Sequence, residues 1–187
     1  MHRRQLLTGL ALLGAWPLAR GQEGGRAGTG SAPVPPSIEE ELQAYPHCIL
    51  CHMDRRKFHH ARHLLVFGDD QMAGTCSVHC AAESMLQERH RGFKHVFAPD
   101  YGTAGNPKPL IEAGSASYLI GSDLPGVMTP VSKVAFAHRE DALLAQRTYG
   151  GHLEDFSGAV RASLDEMASS LLRRYNDGQE RQRRKTG

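Results

Sequence analysis

Apolar and polar positions along this chain change period several times, which predicts short strands mixed with helices. His63 to Phe67 is an apolar run closed by the turn signal Gly68-Asp69-Asp70, and Gln71 to Thr75 can return beside it as a hairpin. Ser77 reads as the N-cap of a helix reaching about His90, with Val78, Ala81, Ala82, Met85 and Leu86 on one face. Lys94 to Ala98 follows as a strand. After a Gly/Pro-rich loop from Pro99 to Pro109 the same order recurs. Ala116 to Gly121 and Val131 to Ala137 read as strands, Arg139 to Tyr149 as a helix ended by Gly150-Gly151, and His152 to Phe156 as a strand. The expected class is therefore α+β, with two consecutive strand-strand-helix-strand repeats, near residues 46–98 and 115–156, plus a C-terminal helix. The repeat rests on element order, since side-chain identity between the halves is weak.

That last helix is expected to start at the N-cap Ser157. Val160, Leu164, Met167, Leu171 and Tyr175 then form one apolar stripe. In register with that stripe, Met167 reads as core. At the other end, Glu39-Glu40-Glu41 with Leu42 and Tyr45 predict a turn or two of helix before Pro46 stops it.

The flanks have a different character. Met1 to Gly21 reads as an export signal, with His2-Arg3-Arg4 as a positive start, Leu6 to Trp16 as an apolar run and Ala19-Arg20-Gly21 before a cut. The pair Arg3-Arg4 leaves two readings open, a twin-arginine signal or an ordinary secretory signal with a chance pair. The apolar run is shorter than the roughly 20 residues a membrane span needs, and no Cys stands near the cut to take a lipid. These features predict a periplasmic protein that is soluble after signal removal, without stable membrane insertion. Residues 22–37 are expected to be a flexible linker, 38–176 the folded region and 177–187 a basic disordered tail.

Net charge is +2, with +3 in the signal and +4 from Arg173 to the end, so the body between them is mildly acidic. A partner made of nucleic acid is not expected.

Candidate chemistry concentrates in residues 46–63, PHCILCHMDRRKFHHARH, which hold two thiols, one thioether and five imidazoles. Such a set suits a soft metal ion or a haem. Four Cys in an exported chain suggest two disulfides by default. Here Cys48/Cys51 and Cys76/Cys80 are local pairs whose closure would constrain the unfolded chain little, and local pairs suit metal or redox chemistry better. Cys51 and Met53, one residue apart, can face the same side of an extended segment. A third soft donor is offered by Met128 in Pro125-Gly126-Val127-Met128-Thr129, where no apolar stripe claims it. Cys80 points about 200° away from Val78 on the helix and Cys76 shares its side, so neither reads as a core cysteine. They can add to a metal site, bridge to Cys48/Cys51, or pair locally. His59, His60 and His63 are further donors in a basic loop, and His52 completes C-x-x-C-H, the attachment motif of c-type haem.

The C-x-x-C-x-M-D-R arrangement with Phe58, then Gly74-Thr75-Cys76-Ser77-Val78-His79-Cys80-Ala81-Ala82, then Tyr118-Leu119-Ile120-Gly121 with Pro125 to Thr129, resembles the NosL family, accessory factors of nitrous oxide reductase. The resemblance spans roughly Tyr45 to Met167. It implies a periplasmic Cu(I)-binding chaperone whose partner is nitrous oxide reductase or its assembly machinery, and a repeated α+β fold similar to organomercurial lyase. It also implies that Cys51, Met53 and Met128 are the copper ligands, the trio that softness and spacing select. Two departures stand out: the family usually has Gly where this chain has His52, and many relatives carry a lipid-bearing N-terminal Cys.

Three rival readings remain. A c-type electron carrier would use Cys48, Cys51 and His52, but Met53 cannot reach the opposite haem face. A thiol-disulfide oxidoreductase wants its C-x-x-C at a helix start, whereas Arg55 to His63 leads into a strand. A lyase is suggested by fold likeness alone, which does not carry chemistry. No nucleophile, base and orienting group assemble, so an enzyme is not expected.

Overall fold

The computed structural model of the chain describes residues 34–186, so the expected export signal and most of the linker lie outside the described residues. The first helix, α1 (Ile38–Ala44), is closed at its start by a capping box in which the Ser37 hydroxyl accepts from the Glu40 amide at 3.3 Å and the Glu40 carboxylate reaches back to the Ser37 amide. It stops before Pro46 and buries Glu41 and Leu42.

Two antiparallel sheets follow, giving a mixed helix-and-sheet fold. The first has the order β2-β1-β3-β4, from β1 (His63–Phe67), β2 (Met72–Thr75), β3 (Phe93–Pro99) and β4 (Leu110–Glu112). The second has the order β6-β5-β7, from β5 (Ser117–Ile120), β6 (Lys133–Phe136) and β7 (His152–Glu154). Helix α2 (Val78–Gln87) links β2 to β3 and α3 (Arg139–Tyr149) links β6 to β7. The chain ends in the long α4 (Phe156–Thr186), which packs on α2 and β5.

Successive strand residues point to opposite faces, and here both faces are covered. Leu65 and Phe67 of β1, Val96 of β3 and Tyr118 and Ile120 of β5 meet Val78 and Ala81 of α2 and Ala159 of α4 in one core shared by the two sheets. Leu119 and Val134 turn the other way onto Ala142 and Ala145 of α3, while Leu64, Val66 and Phe97 pack with Leu110. Such two-sided burial explains why β1 reads as an unbroken apolar run.

Several expectations need correction. Strand β4 was not expected; its three residues owe their extended state to pairing with β3 (Phe97 with Glu112, Pro99 with Leu110). The N-cap of α4 is Asp155, whose carboxylate accepts from the Gly158 amide at 2.7 Å, rather than Ser157. Beyond Met167 the α4 stripe leaves the body, so Leu171 and Tyr175 are exposed, and Glu166 instead turns toward the buried Lys133. The basic segment after Asn176 continues the helix to Thr186, because Gln, Glu, Arg and Lys are good helix formers and no Pro interrupts them. On α2, Leu86 lies about 80° from Val78 and is exposed. Among the described residues no helix is long and apolar enough to cross a membrane.

Candidate metal centre

The ligand-rich stretch is a tight loop between α1 and β1. His47 bridges to Asp54 across it, the Cys48 amide donates to the Met53 carbonyl at 2.9 Å, and the His52 amide donates to the Cys48 carbonyl at 2.9 Å. This turn forces His52 to a φ of 60°, the left-handed region that favours glycine. His52 occupies this glycine-favouring position with its side chain exposed to solvent. The Ile49 amide ties the loop to β2 by donating to the Gly74 carbonyl at 2.9 Å.

Beneath the loop lies a buried ionic clamp. Arg55 donates to the carbonyls of Thr75 at 3.0 Å, His63 at 2.9 Å and Tyr45, and pairs with one carboxylate oxygen of Glu41. The other Glu41 oxygen accepts from Nε of Arg62 at 3.1 Å. All three side chains are fully buried. The guanidinium of Arg55 lies against Gly74, where a Cβ would come within 2.4 Å of it, so glycine is required for this close approach. The clamp joins α1, the loop, β1 and β2, and thereby fixes where the thiols stand.

Cys76 follows β2 directly and Cys80 lies in the first turn of α2, whose N-cap Ser77 accepts from the Cys80 amide at 3.4 Å. Being four apart across a helix start, both thiols face the loop. The Sγ of Cys51 lies 3.5 Å from that of Cys76 and 3.9 Å from that of Cys80, Cys76 and Cys80 are 3.7 Å apart, and all four Sγ atoms including Cys48 lie within 4.8 Å of one another. An ion at the centre of four sulfurs with bonds of about 2.3 Å would space them about 3.8 Å apart, so the cluster has nearly the dimensions of a thiolate site. All four are free thiols.

Cys48, Cys76 and Cys80 are buried, which corrects the expectation that the second pair stands outside any core. They do lie off the Val78 face, but Ala61, Val127 and the loop cover them in a cluster of their own. Leu50, Met53 and Phe58 pack around this cluster, and Cys51 and Met53 are half-buried at its rim. The Cys48 thiol is held far below its usual range, chiefly by hydrogen bonding from Cys76 and then Cys80, while those two are pushed well up, chiefly by facing Cys48.

Met128 behaves differently. Its neighbour Val127 belongs to the thiol cluster, but Met128 itself is 44% exposed and lines an adjoining cavity with His79 and Met167. The structure therefore brings Cys51 and Met53 together and stands Met128 beside them in a separate space. His63 is buried, bonded to the Ala61 carbonyl at 2.9 Å and the Tyr118 hydroxyl at 3.0 Å, and burial lowers it to about 4. His59 accepts from the Lys108 amide through Nδ1 at 3.3 Å. Neither takes part in the cluster. Arg55, Gly74 and His79 stand in the motifs that carry the resemblance and Glu41 in the first predicted helix, but sequence reasoning gave none of them a role in holding the site.

The NosL family model matches residues 39–163. No curated protein matches. Among solved structures, the crystal structure of the copper chaperone NosL from Shewanella denitrificans is 23% identical and covers 59% of this chain and 87% of its own, with a TM-score of 0.50. The solution NMR structure of the apo-NosL protein from Achromobacter cycloclastes is 20% identical and covers 51% of this chain and 82% of its own, with a TM-score of 0.36.

Proposed function

We propose, from the premise that the chain belongs to the NosL family, that it is a periplasmic copper chaperone which carries Cu(I) on its thiol cluster and assists copper-centre assembly of nitrous oxide reductase. The observation that carries this reading is the meeting of four Sγ atoms within 4.8 Å, with Met53 against them. Thiolate and thioether sulfur are the donors that a soft monovalent ion selects, whereas hard cations want oxygen. The Shewanella protein is a copper chaperone by name, which supports copper as the cargo. The strand orders β2-β1-β3 and β6-β5-β7, each with its helix between second and third strand, support reading the fold as two α+β repeats.

Delivery needs a site that is tight yet open to ligand exchange. Cys48, Cys76 and Cys80 form the closed side, and Cys51 with Met53 form the side a recipient can approach. A donor from the recipient adds to copper there while the Cys51 bond breaks; the ion stays Cu(I) and no electron moves. Met128, next to Val127 of the cluster, remains the candidate for a third soft ligand at the exchange step. The haem reading is not favoured, because Cys51 is already in contact with Cys76 and Cys80 and His52 faces solvent.

A Cu(I) competition titration tests the reading on reduced native protein and on Cys51→Ser, Cys76→Ser, Met53→Leu and Met128→Leu. Cys51→Ser should weaken binding by more than about tenfold, and by more than either Met variant, since a thiolate brings charge that a thioether lacks. Pre-oxidised protein should bind much less. Native affinity in both Cys51→Ser and Met53→Leu would sink the site.

A further inference from the structure

Helix α4 is 31 residues, about 46 Å long, and beyond Met167 it carries apolar side chains into solvent. Leu164, Ala168, Leu171 and Tyr175 recur at spacings of 4, 3 and 4, the alternation by which one helix packs along another. Leu171 is 69% exposed, Tyr175 62%, and Leu172 at the edge of the stripe 61%. Exposed apolar patches rimmed by polar residues mark interaction sites. Glu166, which pairs with Lys133 of β6, lies about 160° round the helix from Ala168. The stripe therefore looks away from that sheet.

Charge selects what covers it. Turned end for end about a two-fold axis between Ser169 and Ser170, the helix is complementary to itself: Leu164 comes level with Tyr175 of a second copy and Ala168 with Leu171, so the stripe meets its own image. In the same register Arg174 comes level with Asp165, Arg184 with Asp155 and Lys185 with Glu154, all six exposed, and no like charges meet. A parallel pairing would instead crowd together two segments that each carry +4 from Arg173 onward. A lipid surface fits less well, because the stripe stops at Tyr175 while Asp177 and Glu180 follow among the basic residues.

We propose that the protein self-associates as a two-fold symmetric dimer through antiparallel pairing of α4, with Leu164, Ala168, Leu171 and Tyr175 as the apolar seam. Such an interface is isologous, each copy giving and receiving the same contacts, so association closes at two. The long basic end of α4, which outruns its own body, then lies along the acidic start of the partner's α4. Each particle carries two thiol clusters.

Sedimentation velocity of the reduced full chain over a dilution series is the test. The mass should rise with concentration from 20.5 kDa to twice that value and stop there. Leu171→Glu/Tyr175→Glu puts charge into the seam and should weaken association by more than about a hundredfold, while circular dichroism and the urea midpoint stay native because both side chains are already in water in the monomer. At low salt, Arg174→Glu/Lys185→Glu and Glu154→Lys/Asp165→Lys should each stay monomeric at concentrations where the native chain pairs. An equimolar mixture of these two variants should recover the double mass, since every reversed charge then stands level with its opposite. A chain that remains at 20.5 kDa throughout, grows without limit, or pairs equally well with Leu171→Glu/Tyr175→Glu overturns the dimer. A mixture no heavier than its separate parts overturns the antiparallel register. A monomer that binds phosphatidylglycerol vesicles through Leu171 and Tyr175 assigns the stripe to lipid and overturns the pairing as well.

Discussion

Replacing Glu41 by Gln should be among the most destabilising isosteric changes available to this chain. Its carboxylate is the anion between two fully buried guanidiniums, Arg55 and Arg62. Burial pulls both guanidiniums below their usual range, and the Glu41 carboxylate is the main group opposing that in each case. Glutamine keeps an acceptor oxygen but removes the charge, leaving two buried cations without a counter-ion. Breaking a buried pair in this way costs about 3–5 kcal/mol, a large part of the roughly 5–15 kcal/mol that holds a domain together. At a urea dependence of about 2 kcal/mol per molar, the midpoint should fall by roughly 2 M. Glu39→Gln is the control: Glu39 meets Arg56 at 3.0 Å with both side chains largely in water, and such pairs are worth about 0–1 kcal/mol. Urea unfolding of the reduced, metal-free proteins reads both values. If Glu41→Gln and Glu39→Gln differ by less than about 1 kcal/mol, the clamp is not what holds the loop.

Two further outcomes follow from the same layer. Gly74→Ala should cost about 1–3 kcal/mol or more by thermal unfolding, because the Arg55 guanidinium it strikes is pinned by several hydrogen bonds and has nowhere to move; a neutral change would refute the close approach. Burial lowers His63 from 6.5 to about 4, so the neutral ring is favoured by the fold: the stability it contributes is present above pH 6.5 and is lost as pH falls toward 4, up to about 3 kcal/mol, and His63→Gln should flatten that part of the stability profile.

Much of this architecture is legible because period-2 and period-3.6 patterns are local. The hairpin of β1 and β2, the Ser77 cap of α2 and the glycine stop of α3 each follow from residues close in sequence. What fails depends on partners far along the chain. Strand β4 exists because β3 lies beside it, and Leu171 is exposed because α4 outruns the body it packs on. The candidate site divides the same way. Helical phase correctly turned Cys76 and Cys80 away from Val78, but only the fold shows that the 48–53 loop covers them. Glu39, Glu40 and Glu41 look alike as a charge run, and which of them is buried is settled by the phase set at Ser37 and by two arginines arriving from other elements.

The charge of the buried layer ties clamp to cluster. One carboxylate and two guanidiniums leave a net positive charge beneath the loop, and a negative charge on the thiols would favour the Arg55 cation. An uncompensated buried cation is costly, and a thiolate is the nearest remedy. Facing one another, the thiols pull Cys48 down and push Cys76 and Cys80 up, so the cluster can supply that anion as one thiolate shared among hydrogen-bonded thiols. On the proposed reading, a monovalent copper ion entering such a cluster replaces a thiol proton with equal charge, so loading buries no additional net charge. Selectivity for the soft ion then comes from sulfur softness, and exchange falls to Cys51, the one cysteine of the four that solvent reaches.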